Sequence, residues 1–346
     1  MLKKNYSFQL VKKIDFNLTV LLYLLNTIMQ QKLDLYFKII PKYDERSKKC
    51  FIYDPSSCKA FFTTKPEPTD KFIVTKSYIK LFYRTPYKEP DIPDIPIIKC
   101  KYDIPLIKSN LQKAIRRCDS QIAVQSTLAL IQRSPMELLR RLPIICIEDV
   151  TLMDSYPILV WLMMADKDYG KLSKTDINII LNIVISLCDC KTYFHYEKNE
   201  LNYAFTHETL QFCPNSNELL SLLYRSEYGG MKGDIQMLKV AIDYYRMHPT
   251  EVIKTEYNTI NYNVIEREIE ILVEAIDFHC YPNMLNILNK LTFINKETIK
   301  HCIWFVESGY NIRKPDTQAS SKEYEERNEW KKIEKYLENV RCDLIK

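Results

Sequence analysis

A proline-dense segment in the first third of the chain limits what the polypeptide can fold into. Residues 85–105 contain five of the 16 prolines. Proline fixes φ, lacks the backbone N–H that a helix interior needs, and drives the preceding residue toward extended backbone. Residues 85–107 are therefore predicted to form an extended connector, and the chain should fold differently on its two sides.

The residues before the connector, 1–84, are predicted to form a small α+β module. Residues 17–30 are predicted to form a buried helix capped by Asn17, because nearly all of its faces are apolar. Short aromatic and β-branched runs follow, separated by Pro, Asp, Ser and Lys clusters, and such runs are typical of strands. They read LDLYFKII, CFIYD, AFFTT, KFIVT and YIKLFY.

The residues after the connector carry repeated helix start and stop signals, so 108–316 is predicted to be an all-helical domain. SPME at 134–137 and SKTD at 173–176 have the spacing of capping boxes. The Gly229-Gly230 pair and Gly309 are expected to end helices as C′ residues. The predicted fold class is mainly α: a multi-helix domain of antiparallel hairpins with a small β-containing N-terminal module.

Residues 317–346 are predicted to form a C-terminal amphipathic helix. Its apolar residues alternate at spacings of three and four, which places them along one seam. The seam is too short for an independent coiled coil, so docking onto the helical domain is favoured, and self-association is the alternative. The seam consists of Trp330, Ile333, Leu337, Val340 and Leu344.

The scarcity of glycine excludes several enzyme classes. Only 5 of the 346 residues are glycine, and neither a Walker A loop nor a G-x-G-x-x-G fingerprint occurs. P-loop NTPases and ordinary dinucleotide-binding enzymes are thereby excluded. A G-x-S-x-G elbow and an H-E-x-x-H motif are also missing. The sequence predicts a non-enzymatic protein with no catalytic residues and no cofactor.

Cysteine and histidine groups provide two metal hypotheses. The spacing of the first group fits no common zinc finger, and the second group could instead form a thiol–imidazole pair. Cysteine is also among the most buried residue types, so core packing is favoured and no metal site is predicted. The first group is Cys188, Cys190, His195, His207 and Cys213, and the second is the doublets His279-Cys280 and His301-Cys302.

Acidic residues give a third hypothesis, of acid/base pairs or Mg²⁺ ligands. Solvated helix faces or pairing with arginine are favoured for them. The residues concerned are Glu148, Asp149 and Asp154, and separately Glu266, Glu268 and Glu270.

Charge is distributed unevenly along the chain. Residues 1–120 carry 23 Lys and Arg against 12 Asp and Glu, whereas 121–346 carry 26 against 32. The basic third favours an anionic partner, nucleic acid before membrane. Eleven cysteines without a recognisable secretory signal favour a reducing, intracellular location.

Six cations between residues 113 and 141 are the candidate contact residues for nucleic acid or a protein partner. A clustered basic face supplies sequence-independent affinity for phosphates. The alternative is internal pairing, with Glu137 in the same helix or with Glu148, Asp149 or Asp154 between helices. The six are Lys113, Arg116, Arg117, Arg133, Arg140 and Arg141.

Residues 108–166 resemble the helical region that follows the ATPase core in the clamp-loader-related RarA/MgsA family. The matching residues are Leu111, Lys113, Ala114, Arg116 and Arg117, then Arg140, Arg141, Leu142, Ile145, Glu148, Asp149 and Val150. The resemblance implies a clamp-loader-collar-like start of the helical domain and self-association through helices. The family's Walker and sensor motifs have no counterpart upstream, so it implies no ATPase activity.

The segments LRRLPII, IEDV and AIDFHC resemble those of a protein family of nucleocytoplasmic large DNA viruses. This resemblance implies a viral origin, with the host cytoplasm or a virus factory as location. Together these features predict a non-enzymatic accessory protein of DNA replication or repair that binds DNA or a replication partner through its helical domain. The alternative is a structural or assembly protein of a large DNA virus. A homo-oligomer is a further expected partner, and a membrane is not.

Overall fold

A four-stranded sheet opens the computed structural model, which describes residues 49–84, 95–194, 216–278 and 282–345. The sheet has the order β2-β1-β4-β3, with β1 parallel to β4 and antiparallel pairs on either side. The strands are β1 (Cys50–Asp54), β2 (Lys59–Thr63), β3 (Lys71–Lys76) and β4 (Ile79–Tyr83). Four of the five predicted strands are thereby confirmed. The fifth, LDLYFKII, and the helix predicted at 17–30 lie outside the described residues.

Twelve α-helices follow within the described residues, so the predicted mainly α fold class with a small β module is confirmed. The first seven are α1 (Ile104–Arg117), α2 (Ser120–Arg133), α3 (Pro135–Asp149), α4 (Tyr156–Tyr169), α5 (Lys174–Asp189), α6 (Asn217–Glu227) and α7 (Lys232–Met247). The last five are α8 (Val273–Phe278), α9 (Pro282–Thr292), α10 (Lys296–Ile303), α11 (Pro315–Glu325) and α12 (Asn328–Ile345). A π-helical turn, Trp304–Ser308, extends α10.

Two predicted boundaries need correction. Helix α1 begins at Ile104 and not at 108, because Pro105 occupies its first turn, where no N–H is needed, and Asp103 caps it through the N–H of Leu106. The C-terminal segment forms two helices, α11 and α12, and not one. Of the predicted connector, residues 85–94 lie outside the described residues. The division of the chain into domains stays a prediction.

The two predicted capping boxes differ in the structure. Ser173 and Asp176 exchange both reciprocal bonds at the start of α5, which confirms that box. Ser134 precedes α3 as predicted, but its side chain makes no capping bond. Glu137 is held instead by Lys108 of α1, with 2.5 Å between Nζ and Oε2. An interhelical ion pair has replaced the local cap.

Two glycine sites end helices for different reasons. Gly229 and Gly230 follow α6 with φ of 98° and 142°, the left-handed region in which glycine is free of Cβ strain. Gly309 ends the π-helical turn at an ordinary negative φ of −89°. A Cβ at Gly309 would lie 2.9 Å from both Nε1 and O of Trp304, so close packing requires glycine there.

An aromatic layer joins the inner face of the sheet to the helices. Trp161 of α4 donates from Nε1 to the carbonyl O of Phe51 at 3.0 Å, and its ring contacts Tyr53. Phe62 of β2 stacks between Phe51 and Tyr224 of α6. These side chains alternate along their strands, so this face of the sheet is fixed against α4 and α6.

A second core cluster forms around the C-terminal helix. Trp330, Ile333, Leu337 and Val340 are all buried, and Leu344 packs at the edge. They contact apolar residues of α8, α9 and α10, together with Leu106 of α1. Docking of this seam onto the helical part of the chain is thus confirmed.

Candidate nucleic-acid interface

Lys113, the first predicted contact residue, lies on α1 with no exposed surface. Its Nζ donates to the carbonyl O of Ser308 at 2.5 Å and lies 4.3 Å from the centre of the Phe278 ring and 5.7 Å from that of Trp304. Burial, and then the charge of Arg116, lower the pKa of Lys113 well below its usual value. The expectation of a solvent-facing Lys113 is corrected: α8 and the π-helical turn cover that face of α1.

Arg116 is 5% exposed and has three internal acceptors. Its guanidinium donates to Oδ1 of Asp149 at 2.6 Å, to Oε1 of Glu148 at 3.2 Å and to the carbonyl O of Ser308 at 3.1 Å. Burial by itself raises the pKa of Asp149, but Arg116 and then Lys314 outweigh it and hold that pKa below its usual value. Burial, and then Asp149, raise the pKa of Glu148. Arg116 therefore joins α1, α3 and the π-helical turn, and it too is inaccessible.

Arg117 is half-buried at the C-terminal end of α1. It donates to Oε1 of Glu274 at 3.1 Å and to the carbonyl oxygens of Glu307 and Tyr310 at 2.9 and 2.6 Å. Its guanidinium also lies 4.5 Å from the centre of the Tyr310 ring. These contacts bind α1 to α8, to the π-helical turn and to Tyr310 after that turn.

Arg141 is half-buried and pairs both within α3 and with α1. It donates to Oε1 of Gln112 at 2.7 Å and to Oε2 of Glu148 at 3.2 Å. The intrahelical pairing considered for Glu137 is not observed with Arg141, because Glu137 binds Lys108. Arg141 and Arg116 thus share Glu148, which makes them one internal network.

Arg133 and Arg140 are the two predicted contact residues with exposed side chains. Arg133, at the end of α2, donates to the carbonyl O of Tyr102. That carbonyl belongs to a residue at the edge of an open cleft of about 340 Å³. The cleft is lined by Lys99, Cys100, Lys101, Tyr102, Glu268 and Ile269.

Arg313 is a structural residue that the sequence did not single out as a site. It is 6% exposed and donates to the carbonyl oxygens of Ile115, Leu187, Cys188 and Cys190 at 2.6 to 3.0 Å. These carbonyls end α1 and α5, where four C=O groups of any helix lack an intrahelical partner. Backbone acceptors leave no sequence pattern, so spacing could not have revealed this role.

The metal hypotheses gain no support from the described residues. Within the four described ranges, no three His, Cys, Asp or Glu side chains converge on a possible ion site. Cys188 and Cys302 are buried, as core thiols are, Cys190 is half-buried, and His301 is exposed. The remaining members, His195, His207, Cys213, His279 and Cys280, lie outside the described residues.

The two groups of acidic residues have different surroundings in the structure. Glu148 and Asp149 pair with Arg116, as the internal-pairing alternative proposed. Glu266, Glu268 and Glu270 have exposed side chains, but their segment is extended and not helical. The carbonyl groups of Glu266 and Glu268 accept from Nε2 of Gln125, and that of Glu270 accepts from Nδ2 of Asn110, so this segment is bound through its backbone.

The outer face of the sheet carries an apolar row that crosses all four strands. Ile52 pairs with Phe61 of β2 and Phe82 of β4, and Phe82 pairs with Phe72 of β3. We call Phe61, Ile52, Phe82 and Phe72 the outer row. The Phe72 and Phe82 ring centres are 5.6 Å apart, and Phe72 is 51% exposed. Phe61 and Phe82 are half-buried and Ile52 between them is wholly buried, so solvent reaches this face mainly at Phe72 and Phe82 near the β3 edge.

Basic side chains flank the outer row. Lys59 and Lys80 are exposed and stand two residues from Phe61 and Phe82 on the same strands, which places them on the same face. Arg84 lies 5.2 Å over the Phe61 ring but is engaged by Asp70 and Glu67. The described segment 49–84 holds seven Lys or Arg against three Asp or Glu, so the sheet has a positive balance.

The outer row could have been found from the sequence, because the signal is alternation. Phe61 stands next to Phe62, which stacks on Tyr224 of α6, and Phe82 stands next to Tyr83, which contacts Tyr169 of α4. In KFIVT, Phe72 stands next to the half-buried Ile73. Alternation predicts which residues share a face of each strand, but it does not predict which strands lie next to each other in the sheet. Only the sheet register brings the three phenylalanines into one line.

The comparisons with known proteins found no match. No protein-family model, curated protein or solved structure is similar to this chain at a significant level. Across the described ranges, the helices lack the combination of length and apolar character that crossing a bilayer requires.

Proposed function

We propose that this protein is a non-enzymatic accessory factor of DNA replication or repair and that it binds nucleic acid through the outer face of its sheet. The observation that carries the proposal is the outer row, with aromatic rings at the surface between Lys59 and Lys80. Cations interleaved with exposed rings suit nucleic acid, because phosphates attract the cations and bases have a π-face.

The location of the outer row agrees with the distribution of charge. It belongs to the basic third of the chain, where Lys and Arg outnumber Asp and Glu by 23 to 12. Most of the helical cations first predicted as contacts form internal hydrogen bonds or ion pairs instead, and Lys113 and Arg116 are buried. Arg133 and Arg140 keep exposed side chains, so they are retained as secondary contact residues.

The proposed location is intracellular, in the host cytoplasm or a virus factory if the resemblance to viral proteins reflects descent. The nine cysteines in the described ranges are free thiols, and a reducing compartment preserves free thiols. This supports the location without specifying the compartment.

The test is fluorescence-anisotropy binding of labelled DNA to the full chain over a salt series. The decisive variant is Lys59→Gln with Lys80→Gln, and the charge-matched control is Lys322→Gln with Lys331→Gln, both exposed on α11 and α12. Each phosphate contact contributes about −0.7 to −0.9 to the slope of log K against log salt. We expect the first pair to reduce the magnitude of the slope by about 1.5 and the control to leave it unchanged.

Two results would overturn this proposal. Wild-type protein that binds no DNA at low salt contradicts nucleic-acid binding altogether. Equal losses in both lysine pairs would show a diffuse charge effect and not a contact at the sheet. Arg133→Gln with Arg140→Gln, examined in the same series, reports whether the secondary residues take part.

A structural or assembly protein of a large DNA virus is the second candidate, and one observation favours it. Helix α9 and the residue after it expose Ile287, Leu291 and Phe293, and Phe293 is 92% exposed in the left-handed conformation. Exposed apolar groups on one helix are typical of association surfaces. Light scattering over a concentration range, with Phe293→Asp as the variant, should show stable oligomers that the substitution dissociates. A monomer at all concentrations would contradict self-assembly.

A further inference from the structure

We infer that the outer row is a stacking platform for single-stranded nucleic acid, with Phe72 and Phe82 each taking the face of an unpaired base. This inference rests on the proposed function and specifies its substrate. It requires three features of the surface: rings open to solvent, a spacing that suits successive nucleotides, and cations beside the rings.

Access is greatest at the edge of the sheet. Phe72 stands on the edge strand β3 with half of its surface exposed, and Phe82, its direct partner on β4, is partly exposed. The two rings meet edge to face, at an interplanar angle of 68°. One ring therefore presents its face to solvent at a different angle from the other, which suits bases that are splayed apart and not stacked on each other.

The row has the length of a short single-stranded segment. Four strands at the usual separation give about 14 Å from Phe61 to Phe72. Sheets of this width hold about two or three stacked bases in known single-strand modules. The wholly buried Ile52 between Phe61 and Phe82 interrupts the aromatic surface, so the Phe72–Phe82 pair is the main platform.

The chemistry of the row discriminates against a duplex. In a duplex each base face is covered by the neighbouring base pair, so the exposed rings cannot stack on it. An unpaired base can stack on a ring, so the rings favour a single strand. Lys80 lies two residues before Phe82 on the same face and can meet the adjoining phosphate. The rings offer no donor or acceptor, so the platform should tolerate any base sequence.

The experiment compares single- and double-stranded DNA of the same sequence, and the matching single-stranded RNA, with the full chain and three variants. Phe72→Ala removes the ring, and Phe72→Trp keeps a stacking face and adds a fluorophore. Met247→Ala, which truncates an exposed apolar side chain at the end of α7, is the control. Base stacking on one ring corresponds to about 5- to 150-fold in affinity. We expect Phe72→Ala to weaken single-strand binding within this range and to leave the weaker duplex binding unchanged.

The added tryptophan supplies an independent readout. With Phe72→Trp, single-strand affinity should be retained, and its added fluorescence should be quenched on binding, relative to wild-type protein measured in parallel. Duplex bound as tightly as single strand, or unchanged single-strand affinity in Phe72→Ala, would overturn the stacking platform. If binding still depended on salt, the proposed function would remain supported. Absence of binding to all three nucleic acids would overturn both. Tighter binding of DNA or of RNA identifies which single strand the platform takes.

Discussion

Buried carboxylates in this protein adopt opposite protonation states because their surroundings differ. Asp149 has Arg116 and Lys314 beside it, and its pKa is held below the usual value. Glu307 shares its site with Asp277. Burial, and then its hydrogen bond with Asp277, raise the pKa of Glu307 to about 9, even though Arg341 opposes the shift. One acid is therefore a permanent anion, and the other holds a proton at neutral pH.

Removing the Asp149 carboxylate should be strongly destabilising. Asp149→Ala leaves the Arg116 guanidinium buried beside Lys113 without its main counter-charge, and such a loss costs about 3–5 kcal/mol. Glu268→Ala, at an exposed acid, should change the free energy of unfolding by less than about 0.5 kcal/mol. Urea unfolding followed by circular dichroism measures both. Equal stability of the two variants would show that the ion network contributes little.

Glu307 should make the protein less stable as pH rises. Its usual pKa is 4.5, so between about pH 4.5 and 9 the native state retains a proton that the unfolded chain releases. The unfolding free energy of wild type should therefore fall through this window. Glu307→Gln cannot ionise, so its advantage over wild type should grow toward pH 9. A constant difference between the two proteins across the window would contradict a raised pKa.

Helix ends in this protein are capped in several chemically different ways, and the sequence predicted some of these caps. Ser173 with Asp176 and the Gly229-Gly230 pair are local devices, so their spacing was sufficient to predict them. The ends of α1 and α5 are closed by Arg313, which comes from far along the chain. A sequence reports contacts within a few residues, and it does not report which distant side chain will reach a terminus.

Ser173 and Ser134, which precede α5 and α3, provide a matched pair for testing. Ser173→Ala removes a bond to the N–H of Asp176 and should cost about 1 kcal/mol. Ser134→Ala removes no capping bond and should cost much less. Thermal unfolding of the two variants under identical conditions gives the comparison. Equal losses would mean that Ser134 caps α3 in solution.

Two glycines form a second matched pair. Gly309→Ala would place a Cβ 2.9 Å from Nε1 and O of Trp304, and overpacking of this kind costs about 1–3 kcal/mol. Gly233, in the first turn of α7, has nothing within 4 Å of an added Cβ. Gly233→Ala should therefore be neutral or stabilising by up to about 1 kcal/mol. Urea midpoints that move in the same direction would disprove the close-packing explanation for Gly309.

Across the whole molecule, sequence predicted the elements better than the surfaces. Strands and helices depend on local periodicity, and four predicted strands and the seam of α12 are confirmed. The contact prediction at Lys113 and Arg116 depended on which face of α1 meets solvent. The acids and carbonyls that bury them are 32 to 195 residues away in sequence, so helical periodicity could identify a basic face but not what covers it.

Helix α1 connects the C-terminal cluster to other helices, so the described part of the chain should unfold as one unit. Leu106 packs in the C-terminal cluster, while Ile115 is wholly buried outside that cluster and Arg116 bonds to Asp149 of α3. Leu337→Ala should cost about 2–5 kcal/mol through the cavity it leaves beneath α12. In a background with Trp304→Phe and Trp330→Phe, the fluorescence of Trp161 reports the distant sheet layer. Because α1 packs against both regions, the loss of stability in the C-terminal cluster should also affect the sheet layer. The urea midpoints of Trp161 fluorescence and of far-UV circular dichroism should therefore fall together. If the Trp161 midpoint is unchanged and part of the helical signal is lost at lower urea, the C-terminal cluster unfolds separately. Helix α1 would then not couple that cluster to the sheet layer.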